Sequence, residues 1–191
     1  MPTHSITDFI SNFNGGTRVN RFRVTGTIGD GTILDDKGGS FHIRSASLPS
    51  SELGQIPINY RGRTVIYPGD RAYRPWEITV VDENPVNSKT GKTLYRAFHE
   101  WSNLINNHVS NTTIRTSPSE HFSNTSGYAT RRAWTIEQLD VNGINYIRKF
   151  FIHNCWPVAV GPVVLDMGQD NVLASFSVVL AYSHYEFAAF S

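Results

Sequence analysis

Gly91-Lys92-Thr93 comes nearer than any other tripeptide in this chain to a recognised chemical motif. It stands between a β-patterned run and a helical one, the setting in which a glycine-rich loop cradles phosphate. The full pattern, G-x-x-x-x-G-K-[ST], needs glycine at position 86. Val86 stands there, behind Pro85, and valine does not readily take the glycine conformation. The flanking pattern is antiparallel β rather than βαβ. The tripeptide therefore reads as a loop glycine and a lysine leading into a helix. Seven histidines stand at positions 4, 42, 99, 108, 121, 153 and 184, with no i, i+4 pair on a helix. His153 and Cys155 alternate onto one face of a strand pattern, but two ligands without partners do not make a zinc site. Cys155 reads instead as a small buried hydrophobe. There is no G-x-S-x-G nucleophile elbow. Asp35-Asp36 and Asp82-Glu83 fall at strand ends, where solvated loops are the default. No catalytic, cofactor or metal site is predicted.

The remaining charged groups point to contacts rather than catalysis. Asp70-Arg71 follows Pro68-Gly69, and reads either as a local salt bridge, worth at most about 1 kcal/mol if exposed, or as an ion pair between subunits. Arg21, Arg23, Arg131 and Arg132 would make a basic patch, but acidic residues are as abundant. With 17 Lys+Arg against 16 Asp+Glu, the formal net charge is +1. A dedicated duplex-binding module carries a basic surplus, because its affinity comes from neutralising phosphates. Near-neutrality also removes repulsion between copies and is compatible with self-association.

The elements that position these groups are mostly strands. The length of 191 residues fits one domain, 1–191, and 39% hydrophobic and 12% aromatic residues suffice for a core. The single cysteine excludes an internal disulfide, no signal peptide is evident, and no apolar run reaches the length of a membrane span, so synthesis in a reducing cytosol is expected. Residues 6–13 read as a short helix, capped by Ser5 or Thr7 and ended by Gly15-Gly16. Residues 21–28 alternate as a half-buried strand, with Phe22, Val24 and Ile28 on one face and Arg21, Arg23, Thr25 and Thr27 on the other. The Gly- and Asp-rich stretch 29–40 reads as a hairpin loop, with 41–47 the returning strand. Pro49 and Pro57 make 48–60 an excursion rather than a strand. A short strand over 63–67 is followed by a type II turn at Pro68-Gly69. Trp76, Ile78 and Val80 then alternate with Glu77, Thr79 and Val81.

One long helix is predicted over about 90–106, its stripe formed by Leu94, Phe98, Trp101 and Ile105. A polar loop covers 107–127, with Asn-X-Ser/Thr triplets at Asn111 and Asn124. Asn142-Gly143 signals a hairpin between strands 131–139 and 144–155, and Trp156-Pro157 ends the second. A last strand, 172–185, puts Val172, Ala174, Phe176, Val178, Leu180 and Tyr182 on one face. The sum is a mainly β protein: an antiparallel β-barrel or sandwich with one packed α-helix and long loops.

Several ordered signals then converge on a family. They run from Ser45-Ala46-Ser47-Leu48-Pro49 through Ile56-Pro57, Arg61-Gly62-Arg63 and Gly69-Asp70-Arg71 to Trp76-Glu77-Ile78-Thr79-Val80. After the helix bearing Phe98 and Trp101 come Trp156-Pro157, Val160-Gly161, Leu165-Asp166 and Phe176-Ser177-Val178-Val179-Leu180, ending near Tyr185-Glu186. In this order, over about 20–187, the chain resembles the tail tube proteins of contractile-tailed, T-even-like phages. The resemblance implies a non-enzymatic virion protein without cofactors. Its hexameric rings would stack into the inner tube of the tail, inside a contractile sheath, and conduct the genome at ejection. Its implied partners are itself, the sheath, the baseplate and tail-terminator proteins, and double-stranded DNA in transient, non-specific passage. It implies no stable membrane association, and assembly in the host bacterial cytoplasm.

On that reading Leu48, Pro49, Ile56, Pro57, Gly69, Asp70 and Arg71 are the expected inter-subunit residues. The polar strand faces, Arg21, Arg23, Thr25 and Thr27 with Glu77 and Thr79, are the expected lumen wall. Alternatives remain: a secretion-system tube or a baseplate tube initiator, which share fold and ring, and further off a carbohydrate-binding sandwich or a P-loop-like nucleotide binder.

Overall fold

The computed structural model describes residues 5–12, 16–29, 33–34, 42–82, 84, 92–108 and 132–188. Two helices and ten strands follow one another among the described residues. Helix α1 spans Ile6–Asn12. Strands β1 (Phe22–Thr27), β2 (Ile33–Leu34) and β3 (Ile43–Ala46) lead to β4 (Ser51–Tyr60), β5 (Arg63–Tyr73) and β6 (Trp76–Val81). Helix α2 (Leu94–Ile105) precedes β7 (Arg132–Leu139), β8 (Tyr146–Val160), β9 (Ser175–Ala181) and β10 (His184–Phe187).

Eight strands form one antiparallel sheet in the order β2-β1-β7-β8-β9-β6-β3, with β10 also on β8. It is open rather than a closed barrel, ending at β2 and β3. Alternation drives it: Val24, Trp134, Ile136, Phe150 and Ile152 from one half, and Trp76, Ile78, Val80, Phe176, Val178 and Leu180 from the other, are all buried. The sheet bends over on itself, so that Trp76 on β6 meets Trp134 on β7 edge-on, 5.9 Å between centroids. Helix α2 seals the concave side. Its Leu94, Ala97, Phe98 and Trp101 are buried, Phe98 packs on both Trp134 and Phe176, and Trp101 stacks parallel to Trp134. Each such side chain contributes roughly 1.5–3 kcal/mol by leaving water.

The bend has a local cause. Arg132 pairs with Cys155 but Trp134 with Ile152, so β8 carries an extra residue there. Asn154 takes up the bulge in a left-handed conformation, φ 57°, which asparagine tolerates better than most side chains. Up to Cys155 β8 pairs with β7 and β10; from Trp156 onward it pairs with β9. The bulge inverts the alternation. His153 points away from the core while Cys155 is fully buried, so the two do not share a face as simple alternation predicts. Burial without a counter-charge raises the Cys155 thiol far above its usual range.

Several other sequence expectations are corrected. Strand β3 does not return along β1; it pairs with β6, setting the buried Ile43 opposite Val80. Residues 51–60 are not an excursion but strand β4, paired along its length with β5. Pro57 fits because each strand of a two-stranded ribbon has an open edge, where a missing N–H disrupts no ladder. Pro68-Gly69 is no turn but lies within β5. The turn is at Arg61-Gly62, where φ is positive at both residues, 49° and 77°, as in a type I′ hairpin. Trp156-Pro157 does not end β8, which runs on to Val160, with Pro157 beside a second register shift. The last strand begins at Ser175, leaving Val172 and Ala174 exposed.

Helix α2 starts at Leu94, with Thr93 as its N-cap accepting from the Arg96 N–H at 3.2 Å. Gly143, with φ 73°, closes the turn between β7 and β8. The loop expected over 107–127 lies outside the described residues beyond His108, as do the triplets at Asn111 and Asn124, the loop expected over 29–40 apart from Gly29 and β2, and Arg131, Asp35, Asp36, Glu83, Val86 and Gly91.

Candidate functional site

The motif with the most chemical promise is structural. Thr93 caps α2, and Lys92 binds the Glu100 carboxylate at 2.6 Å, alongside Arg96 at 2.7 Å. These hydrogen bonds, from Lys92 first and then Arg96, hold the Glu100 carboxyl below its ordinary pKa. The groups that would meet a phosphate are engaged in holding the helix.

The feature that stands apart from the core is the β4–β5 ribbon. Its strands pack on each other, and only its base meets the body. There Tyr182 Oη donates to the Ser50 carbonyl at 3.0 Å, Ser51 Oγ lies 3.2 Å from Tyr185 Oη, and Tyr73 packs against both tyrosine rings. Arg71 Nη1 donates to Ser51 Oγ at 2.8 Å, and Arg74 pairs with Glu52 at 2.6 Å. Beyond the base the ribbon is solvated on both sides. Ile56 pairs with Tyr67 and Ile58 with Val65, which places all four on one face. Pro57 and Ile66 lie on the other. These apolar side chains are 49–60% exposed, apart from Pro57, which is classed as exposed. A two-stranded ribbon is marginal by itself, and its apolar side chains are uncovered in the single subunit.

The sequence-predicted contact residues divide accordingly. Ile56, Pro57, Gly69, Asp70 and Arg71 all belong to the ribbon. Gly69 and Asp70 form a β-bulge, because Leu53 pairs with Arg71 but Gln55 with Pro68. A Cβ on Gly69 would lie 3.1 Å from the Gly54 carbonyl carbon, so the bulge brings two backbones together. Asp70 is exposed and Arg71 turns to Ser51 rather than to it. Leu48 and Pro49 lie before the ribbon: Pro49 is buried, and Leu48 lines a shallow hollow with Val19, Phe22 and Ile136.

The expected lumen residues share the non-core face of the sheet but not one patch. Arg23, Thr25 and Thr27 are on β1, and Glu77 and Thr79 on β6, with three strands between them. Arg21 precedes β1 and donates to the Asp140 carbonyl at 3.1 Å. Arg23 lies beside Glu137, 3.8 Å away, and Lys149 binds the same carboxylate at 2.6 Å. The immediate cross-strand neighbours of Thr79 are uncharged: Ser45 Oγ donates to it at 2.9 Å and Ser177 is its neighbour on β9, while Glu77, two residues along the same face of β6, is exposed. Sequence reasoning missed Glu137 and Lys149, which strand pairing brings to Arg23 from more than a hundred residues away. It also gave no contact role to residues 164–173, where Val164, Leu165, Met167, Val172 and Leu173 are all highly exposed. Five apolar residues in a non-strand segment were the available signal.

The architecture is an open antiparallel sheet capped by one helix, with a projecting two-stranded ribbon. The phage tail tube protein family matches residues 12–188, and the chain belongs to it. It is 28% identical over 138 residues to the tail tube protein of Serratia phage KSP90, covering 72% of this chain and 68% of the relative. It is 22% identical over 147 residues to tail tube protein gp19 of Enterobacteria phage T4, covering 77% and 80%. The fold is also that of a chain in the anti-feeding prophage baseplate, at TM-score 0.61 and 12% identity, covering 92% of this chain and 97% of that one. The protein is a structural subunit of a contractile phage tail tube.

Proposed function

We propose that six copies close into a ring, that rings stack into a hollow tube, and that the tube conducts the phage genome within a contractile sheath. The observation that carries this reading is the β4–β5 ribbon, apolar on both faces and attached only at its base. A ring requires head-to-tail contacts that close, and stacking requires a surface that reaches beyond the subunit. The ribbon supplies the second, through Ile56, Pro57 and the Gly69-Asp70-Arg71 bulge. The open ends of the sheet, β2 and β3, call for neighbours, since unpaired edges are a hazard in a free chain.

The Arg23–Glu137–Lys149 face suits a conduit, because Glu137 balances cations that would otherwise hold phosphate. The face of Thr79, Ser45 and Ser177 offers hydroxyls, with Glu77 the acidic group beside them. We assign these faces to the lumen, with sheath, baseplate and terminator proteins as the external partners, DNA passing without sequence readout, and no enzymatic step. Assembly takes place in the host bacterial cytoplasm. The test is electron microscopy and sedimentation of wild type beside Ile58→Asp. Wild type is expected to give six-fold rings or thin tubes and the variant folded single subunits. Equal assembly by both would remove the ribbon from the reading.

A further inference from the structure

One cluster on the non-core face belongs neither to the ribbon nor to the charge network around Glu137. His153 on β8 is the cross-strand partner of His184 on β10, and Glu186 stands two residues further along β10, on the same face. The imidazoles lie nearly parallel, 4.6 Å between centroids and 15° between planes. Each presents Nε2 to the same carboxylate, His153 at 3.7 Å and His184 at 3.8 Å. The donor atoms of all three residues fall within 4.8 Å of one another. His153 Nε2 is shut off from solvent without a hydrogen-bond partner, although Glu186 is 62% exposed.

We propose that His153, His184 and Glu186 bind a divalent transition-metal ion of the zinc type, with three protein ligands and a fourth position open to water. Ligands about 2.0–2.1 Å from a tetrahedral ion stand about 3.4 Å apart. The carboxylate lies at 3.7 and 3.8 Å from the two nitrogens, and the donors spread over at most 4.8 Å; closing them on one ion takes a rotation of Glu186 and of at least one imidazole out of the parallel stack. Two imidazoles and one carboxylate suit zinc, cobalt or nickel. Magnesium and calcium take oxygen ligands. The ion would give the orphaned His153 nitrogen a partner and place cationic charge beside Glu186. It would also staple β10 to β8. Strand β10 carries Tyr185, which meets Ser51 and Tyr73 at the foot of the ribbon, so the staple stiffens the ribbon's base.

The one-strand reading of His153 with Cys155 could not find this site. The bulge at Asn154 sends Cys155 into the core, and the second ligand arrives from another strand.

The test is calorimetric titration of chelator-stripped full-length protein with zinc chloride, paired with cobalt(II) absorption spectra. Wild type is expected to bind one zinc per chain at about micromolar Kd, to give the intense visible bands of tetrahedral cobalt, and to melt at a higher temperature with zinc but not magnesium. Glu186→Gln keeps the ring stack and is expected to weaken binding about tenfold or more. The double variant His153→Ala/His184→Ala is expected to lose the saturable heat and the cobalt bands. Absence of saturable binding by wild type, or unchanged binding by Glu186→Gln and by the folded double variant, would overturn the proposal.

Discussion

Trp134 on β7 lies directly across the strand pair from Gly26 on β1, and its indole occupies the space that a side chain at position 26 would fill. The same indole meets Trp76, Phe98 and Trp101, so it cannot move aside without disturbing the centre of the core. Gly26→Ala is expected to destabilise the subunit by about 1–3 kcal/mol through overpacking. Urea unfolding checks this, and an unchanged midpoint would contradict it.

Trp76 tests the core from the other half of the sheet. It is 1% exposed, and its Nε1 donates to the Ser47 carbonyl at 2.6 Å. Trp76→Ala is expected to cost about 3–5 kcal/mol and to leave the Ser47 carbonyl without that donor. A thermal melt that hardly moves would show that the neighbours collapse into the space.

The ribbon separates assembly from folding. Ile58 points into solvent beside Ile56 and Val65, so Ile58→Asp is expected to change subunit stability by no more than about 0.5 kcal/mol while preventing tube formation. Substitutions at Pro57 and Asp70 are expected to act in the same direction. Parallel sedimentation and melting experiments distinguish the two effects, and equal loss of both would deny the ribbon an interface role.

Glu137 tests the conduit. Glu137→Gln leaves Arg23 and Lys149 without their shared anion. Assembled tubes of the variant are expected to retain duplex DNA at low salt and release it as salt rises, with wild type retaining little. Anisotropy of a labelled duplex reads the difference. Identical curves would place this face away from DNA.

Glu100 sets an acid limit on α2. Its carboxyl is held below the ordinary value by Lys92 and Arg96, so its contribution is present in full above the unfolded-state pKa and is lost as pH falls through the lower folded-state value. Glu100→Gln is expected to flatten the acid limb of the stability–pH curve. A limb of unchanged steepness would assign acid sensitivity to other carboxylates.

What the sequence disclosed and what it hid follow one physical division. Alternation on β1, β6 and β9 and the 4-3-4 stripe of α2 are local patterns, and they mark Val24, Trp76, Val178 and Phe98 as interior residues, which the structure buries. The family resemblance was legible because ordered short signals survive where overall identity is low. The bulge at Asn154 and the bulge at Gly69-Asp70 were not legible, because a bulge is set by the register of the partner strand. Prolines misled for a related reason: Pro57 excludes a central strand, yet a free ribbon has no centre. The Arg23–Glu137–Lys149 network and the His153–His184 pair depend on strands brought together across long stretches of chain, and single-strand spacing does not encode them.

The ribbon also governs the subunit before it meets a partner. A free copy carries two unpaired backbone edges and an uncovered row of isoleucine, valine and tyrosine, at a net charge of only +1. Little repulsion keeps such copies apart. On the proposed assembly, a growing tube end that captures subunits quickly would also shield those exposed side chains from unproductive clumping.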